Sequence, residues 1–190
     1  MNIVDEAKRL TCAETAKLVR KELAKKFPSQ KFSVRSDSYA GGASIDIHWE
    51  NGLPQSIVEK IVDKFSGAGF DGMVDLQYYK YHWLFPDGSV KIAHSEYGEI
   101  DTEKPKGAIA VQFGADFIMC HRHLTDEIMI QIAQDISRFG KLIFDGNMNA
   151  SLEYENRWFD WWILAGHIAS TGNLDNYKGV LMVDGKYELI

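Results

Sequence analysis

The residues best suited to chemistry stand together in the tetrapeptide Cys120-His121-Arg122-His123. Side chains two positions apart on a β-strand point to the same face, so His121 and His123 would present two imidazoles side by side. Imidazole is a common zinc ligand, and Asp116 could add a carboxylate. A structural zinc site is closed by four ligands, and the others would have to come from distant histidines, namely His82, His94 or His167. Because that set is incomplete, we predict no cofactor and keep His121 and His123 as a minor metal alternative.

Carboxylates are the second set of residues with chemical potential. Asp46, Asp71 and Asp75 could support acid–base catalysis or bind Mg²⁺ if they converged. An Asp-Gly pair such as Asp71-Gly72 is typical of a turn, in which the carboxylate bonds its own backbone. Nothing in the spacing brings the three groups together. We therefore predict that the protein is not an enzyme and has no catalytic residues, with a metal-dependent enzyme as the second alternative.

The elements that position these residues are well marked near the N-terminus. Thr11 and Glu14 match a capping box, and the helix that they begin ends at Pro28. Residues 31–49 alternate apolar and polar side chains around a glycine loop, which predicts a β-hairpin. The core face of its second strand would carry Ile45, Ile47 and Trp49. The opposite face would carry Ser44, Asp46 and His48.

The remainder of the chain alternates hairpins and helices. The patterns predict, in order, a helix after Pro54, an aromatic hairpin at 76–93, a strand at 116–123, a helix from Thr125, a helix with Trp158, Trp161 and Trp162, and a hairpin at Asp184-Gly185. This order predicts an α+β fold, an antiparallel sheet built from hairpins with helices packed mainly on one face, plus a C-terminal helix and hairpin. We place a domain at residues 1–140 and a C-terminal extension, packed on the same body, at 141–190.

Charge is distributed unevenly along the chain. The formal net charge is −6, yet residues 1–36 hold nine Lys and Arg against four Asp and Glu, and residues 37–190 hold twelve against twenty-three. Such polarity governs which partners a protein meets rather than its fold. The basic N-terminal helix suggests one alternative, a nucleic-acid-binding accessory module. Its phosphate contacts would be Lys17, Arg20, Lys21, Lys25 and Arg35.

The acidic remainder of the chain suggests a basic protein surface as partner. The predicted contact residues are four acids of one polar loop and three tryptophans, Glu96, Glu99, Asp101, Glu103, Trp158, Trp161 and Trp162. Three tryptophans within five residues exceed what one helical stripe can bury. A partner, or a second copy of the chain in a homodimer, would cover the excess.

Two further features narrow the class of protein. Cys12 and Cys120 are far apart and follow no disulfide pattern, which favours a reducing compartment. No apolar run approaches the roughly 20 residues that a bilayer span requires, and the N-terminus lacks the layout of a signal peptide. We expect a cytoplasmic protein with no membrane partner.

One long stretch resembles a known family, the large polyvalent protein-associated domain of type 29. The similar segments are LTCAETAKLVRKEL, FSVRS, GGASIDIHW and FDGMVD, with ADFIMCHRHLT at 115–125 resembling the family's closing strand. The resemblance covers about residues 10–125. It implies a protein of a phage or conjugative plasmid, since such domains occur there in large multi-domain proteins or alone. It implies no catalytic residues.

The resemblance also implies an activity, and the acidic charge of residues 37–190 is consistent with it. Carriers of such domains are thought to blunt host defences when mobile DNA enters a cell. We therefore expect a non-enzymatic mobile-element protein of the anti-CRISPR or anti-restriction type. It would bind a host defence complex that handles nucleic acid, through an acidic, aromatic-rich surface.

Overall fold

The computed structural model describes residues 3–95, 103–139, 142–154, 157–171, 180–183 and 186–189. Its helices are α1 (Ile3–Glu6), α2 (Cys12–Lys26), α3 (Gln55–Val62), α4 (Asp126–Phe139) and α5 (Trp161–Thr171). A 3₁₀ turn at Asp63–Phe65 continues α3. None of the described helices has both the length and the apolar character that crossing a bilayer requires.

Strands in the described part of the chain form two sheets and two separate hairpins. They are β1 (Lys8–Arg9), β2 (Ser33–Tyr39), β3 (Gly42–Glu50), β4 (Ala68–Asp71), β5 (Leu76–Leu84), β6 (Val90–Ser95), β7 (Ile109–Gln112), β8 (Phe117–His123), β9 (Ser151–Tyr154), β10 (Arg157–Asp160), β11 (Val180–Val183) and β12 (Lys186–Leu189). One sheet has the order β2-β3-β8, and the larger has the order β1-β7-β5-β4 with β6 beside β5. The predicted α+β class is confirmed.

The N-terminal helix begins as predicted. The Thr11 hydroxyl accepts a hydrogen bond from the Glu14 amide at 3.2 Å, and the Glu14 carboxylate accepts one from the Thr11 amide at 2.8 Å. These bonds form the capping box. The hydrogen bonds that the Glu14 carboxylate accepts from the Thr11 amide and hydroxyl hold the pKa of Glu14 below its usual value. The helix ends at Lys26, two residues before Pro28. Its buried face consists of Cys12, Thr15, Ala16, Val19 and Leu23.

The β2–β3 hairpin also forms as predicted, with Tyr39 paired with Gly42 across the turn. Gly41 in that turn has φ +94°, a conformation that glycine adopts without a Cβ clash. Ile45 and Ile47 of β3 are fully buried. Because side chains alternate along a strand, Asp46 and His48 lie on the opposite face of the sheet.

The third strand of this sheet comes from much later in the chain. The Asp116 amide donates to the Ala43 carbonyl at 2.8 Å, and the Asn51 amide donates to the His123 carbonyl at 2.7 Å. Residue numbers rise from the first bond to the second on both strands, so β3 and β8 run parallel. Parallel strands need a long connection, which here contains α3 and β4–β7.

The chain forms two compact units, one of residues 1–48 and 59–121 and one of residues 49–58 and 122–190. Helix α4 (Asp126–Phe139), which precedes the predicted boundary at residue 140, lies in the second unit and contacts α5. The reason is its apolar face, which is buried in a cluster with α5. The buried members of this cluster are Met129, Ile132, Ala133, Ile136, Met148, Trp161, Leu164, Ala165 and Ala169.

The guanidinium of Arg122, on β8, donates hydrogen bonds to three carbonyl oxygens of the second unit. Its Nε donates to Asn51 at 2.9 Å, its Nη2 to Gly52 at 2.7 Å and its Nη1 to Ala169 at 2.7 Å. Ala169 is in the last turn of α5, where carbonyls lack partners within the helix and a cation is favourable. The planar guanidinium can donate in several directions at once, so one side chain ties the turn at 51–52 to the end of a helix.

The last helix begins later than predicted. Trp158 lies on β10, paired with Glu153 of β9, and the helix starts at Trp161. Asp160 explains the start, because its carboxylate accepts a hydrogen bond from the Ile163 amide at 2.8 Å and so caps the helix. The prediction that one helix carries Trp158 together with Trp161 and Trp162 is therefore wrong for Trp158.

His82 of β5 is fully buried, and it lies 4.7 Å from the Phe113 ring, measured between ring centroids. Neither of its ring nitrogens has a hydrogen-bond partner among the described residues. Burial, with a smaller contribution from the charge of Lys80, lowers the pKa of His82 from 6.5 to about 3. The imidazole is therefore held neutral in an apolar site.

We expect Arg122→Lys to lower the free energy of unfolding of the second unit by about 2–3 kcal/mol. An ammonium group cannot reproduce the guanidinium's divergent donors, and carbonyls left without partners are costly. The measurement is urea unfolding followed by tryptophan fluorescence, since Trp161 is in the core of this unit. Arg138→Lys is the matched control, because the Arg138 side chain is 70% exposed. Equal stability of the two variants would contradict this role for Arg122.

We expect His82 to make the protein less stable as the pH falls from 6.5 towards 3. In that window the unfolded chain binds a proton at His82 and the folded chain does not. The effect is at most about 1.4 kcal/mol per pH unit. Unfolding measured across this range should depend less steeply on pH in His82→Leu than in wild type. His167→Gln, at an exposed histidine, should keep the wild-type slope, and an unchanged slope in His82→Leu would refute the assignment.

Candidate functional site

Three potential metal ligands meet on the open face of the β2-β3-β8 sheet. Asp46 and His48 project from β3, on the face opposite Ile45 and Ile47, and His121 projects from the neighbouring strand β8. We call these three residues the His–Asp cluster. Parallel pairing of β3 with β8 puts His48 and His121 side by side, which no spacing in the sequence indicates.

The geometry of the His–Asp cluster is compact. One ligand atom from each residue can be chosen so that all three lie within 4.8 Å of one another. His121 Nε2 is 3.4 Å from Asp46 Oδ1, and the His48 and His121 rings stack with centroids 4.6 Å apart and planes 21° apart. Among the described residues this is the one group of three or more His, Cys, Asp or Glu side chains with such spacing.

Two of the metal ligands that the sequence suggested, His123 and Asp116, are not part of the His–Asp cluster. His123 does not belong to the cluster, although it follows His121 on the same strand. Asp116 accepts a hydrogen bond from the Ala43 amide at 2.9 Å through its carboxylate. A Cβ on Gly42 would lie 2.9 Å from that carboxylate, so a larger residue there would push the Asp116 side chain aside. Asp116 is thus a structural clamp on the hairpin.

Asp71 and Asp75 do not lie with Asp46 in a ligand-spaced group among the described residues. Asp71 accepts a hydrogen bond from the Met73 amide at 2.9 Å, the turn bond expected from its sequence. Asp75 has φ +54° and belongs to the same turn.

The two cysteines are free and buried, and neither is an activated thiol. Burial raises the pKa of the Cys120 thiol to about 12, with a smaller contribution from the charge of Glu59. Burial also raises the pKa of Cys12, whose Sγ lies 3.3 Å from the Ser44 carbonyl. A thiol nucleophile needs a lowered pKa, so neither residue suits covalent catalysis.

A second surface feature is the turn between β4 and β5. The Asp71-Gly72 pair predicts this turn but not the exposed apolar side chains around it. Four of its apolar side chains are exposed to between 49% and 95%, and we call them the apolar turn, consisting of Phe70, Met73, Val74 and Leu76. Phe70 also lines a shallow cavity of about 400 Å³ together with Phe117 and Met119 of β8. Phe117 and Met119 are 38% and 44% exposed, so apolar surface continues along one side of the unit.

The acidic residues and tryptophans predicted to contact a partner differ in how exposed they are. Glu96, Glu99 and Asp101 lie outside the described residues, and Glu103 is exposed. Trp158 is 71% exposed and remains available to a partner. Trp161 is 1% exposed and is a core residue, which removes it from the predicted contacts. Trp162 is half-buried against the same core.

The basic residues of the alternative function are all exposed. Lys17, Lys21 and Lys25 repeat every four positions along α2, and so form one stripe on the face opposite the core. Arg20 is partly committed, because its Nη2 donates to the Val34 carbonyl at 2.6 Å. Arg35 on β2 is opposite Asp46 in the strand register.

Comparison with known proteins gives one match. No curated protein and no solved structure matches the chain. The family model described as Large polyvalent protein associated domain 29 matches residues 10–125, more than half of the 190 residues. The matched region contains α2, the β2-β3-β8 sheet, the apolar turn and the His–Asp cluster. The chain belongs to the family of large polyvalent protein associated domain 29.

Proposed function

We propose that this protein counteracts a host defence system by binding to it, without catalysis, inside the bacterial cell that a mobile element enters. The target class is a complex that handles nucleic acid, of the CRISPR or restriction type. Family membership supports the setting, because the domain is associated with polyvalent proteins of mobile elements. The contact mechanism is our inference from the surface.

The apolar turn is the observation that carries the contact mechanism. Met73 is 95% exposed, and Val74 and Phe70 are 60% and 55% exposed. Contiguous exposed apolar side chains are a common mark of a protein-binding surface. Burying such a patch against a partner is favourable at roughly 25 cal/mol per Å² of apolar area. Methionine adapts to irregular partner surfaces, so its place at the tip of the turn suits this role.

Net charge supports a basic target surface. Residues 37–190 carry a formal charge of −11, from twelve Lys and Arg against twenty-three Asp and Glu. An acidic protein is steered towards basic nucleic-acid-binding surfaces and competes there with phosphate. In this proposal Glu96, Glu99, Asp101 and Glu103 supply charge, and Trp158 supplies an aromatic anchor.

A second candidate function is nucleic-acid binding through α2. The lysine stripe of Lys17, Lys21 and Lys25 favours it, since regularly spaced cations suit contacts with phosphate. The two candidates differ in which surface they need. Variants of one surface therefore serve as controls for the other.

We expect the double variant Met73→Asp, Val74→Asp to lose protection of incoming DNA. The assay measures plating of a phage on cells that carry a restriction or CRISPR system, with and without this protein. A carboxylate in the apolar turn would have to be desolvated on binding, and a cost of about 1.4 kcal/mol already lowers affinity tenfold. Ile143→Asp, at an 87% exposed position of the second unit, is the control and should protect like wild type. Wild-type protection by the double variant would refute the role of the apolar turn.

We expect neutralising the charges of Glu96, Glu99, Asp101 and Glu103 to slow binding to the defence complex that the plating assay identifies. The variant combines Glu96→Gln, Glu99→Gln, Asp101→Asn and Glu103→Gln. Its association rate should fall and should depend less on salt than the wild-type rate, because steering is screened over about 8–10 Å at physiological ionic strength. The measurement is surface plasmon resonance across a salt series.

The matched control for that experiment neutralises the lysine stripe, with Lys17→Gln, Lys21→Gln and Lys25→Gln. It should leave protein association unchanged or faster. If this variant alone loses function and also loses DNA in a gel shift, the second candidate is correct and the first is wrong.

A further inference from the structure

We propose that Asp46, His48 and His121 bind one divalent transition-metal ion, with Zn²⁺ as the reference ion. This site goes beyond the proposed contact function and does not depend on it. Two imidazoles and one carboxylate are a donor set that zinc uses in proteins. The same set suits Co²⁺, Ni²⁺ and Cu²⁺ better than Mg²⁺ or Ca²⁺, which prefer oxygen ligands.

Distances within the cluster are close to those that zinc needs. Zinc–nitrogen and zinc–oxygen bonds of roughly 2.0–2.2 Å put tetrahedral ligand atoms about 3.3 Å apart. His121 Nε2 and Asp46 Oδ1 are 3.4 Å apart, which is already that spacing. The widest separation in the group is within 4.8 Å, so one imidazole must move by at most about 1.5 Å.

The surroundings allow that movement. The side chains of His121 and Asp46 are 48% and 28% exposed, so their rotamers can change without displacing the core. The backbone positions are held by a paired sheet, and a rigid element fixes ligands more accurately than a loop does. The two imidazoles stack with centroids 4.6 Å apart and planes 21° apart, so one ring must also turn before a nitrogen of each points at the same ion.

One cation lies nearby and acts against the site. Arg35 of β2 is paired with Asp46 in the register and is exposed. Its charge weakens the attraction of Asp46 for a metal ion, although solvent screens that effect. The site therefore depends on direct coordination by the imidazoles rather than on a negative field.

Binding would have two physical consequences. The ion would connect β3 with β8, strands that are far apart in sequence, and would thereby stabilise the folded chain over the unfolded one. Three protein ligands leave one tetrahedral position open. A water molecule, or a histidine, cysteine or carboxylate of a partner, can occupy that position.

The test is calorimetric titration of the untagged full chain with zinc chloride at about pH 7.5. We expect one Zn²⁺ per chain and a rise in melting temperature on addition of zinc. Loss of binding by at least about tenfold is expected for His48→Ala and for His121→Ala. His123→Ala, on the same strand and outside the cluster, is the matched control and should bind like wild type.

Two further measurements test whether binding is specific for a transition-metal ion held by imidazole. Mg²⁺ and Ca²⁺ should not compete, because imidazole is a poor ligand for them. Affinity should be lower at acidic pH than at pH 7.5, because metal ligands coordinate in their deprotonated form. Absence of binding up to about 100 µM zinc would overturn the proposal. Equal loss in His123→Ala, or no loss in His48→Ala and His121→Ala, would overturn it as well.

Discussion

Parallel pairing of β3 with β8 is the constraint on which the rest of this structure depends. The bonds from Asp116 to Ala43 and from Asn51 to His123 fix that pairing at its two ends. The first is doubled by the Asp116 carboxylate, which accepts from the Ala43 amide at 2.9 Å. A parallel pair must be closed over a long loop, and hydrogen bonding along the two strands offsets the entropy cost of that closure.

The His–Asp cluster and part of the exposed apolar surface follow from the register of that pairing. It puts His121 of β8 next to His48 and Asp46 of β3, and so creates the His–Asp cluster. It leaves Phe117 and Met119 exposed beside Phe70, which extends the apolar turn into a larger surface. In the second unit, the end of β8 places Arg122 where its guanidinium can bind three carbonyl oxygens. The exposed apolar side chains of β8 and the His–Asp cluster thus arise from one strand pairing.

Local patterns predicted most of the elements, because the forces involved act within a few residues. The capping box of Thr11 and Glu14, the β2–β3 hairpin and the Asp71 turn are confirmed. The start of the last helix was missed, although Asp160 carried a readable signal as an N-cap residue. Three clustered tryptophans suggested one helix, whereas the chain puts Trp158 on a strand and buries Trp161.

The amino-acid sequence by itself determined the α+β class, the family, the polarity of charge and the two faces of β3. Each of these depends on side-chain type and on short-range periodicity, which can be read without knowing what the strand will pair with. Only the tertiary structure decided that His121 meets His48 rather than His123, that Asp116 clamps a hairpin, and that Arg122 binds carbonyls of two segments. The physical reason is that long-range pairing is selected by the burial and hydrogen bonding of the whole sheet, and no short stretch of residues contains that information.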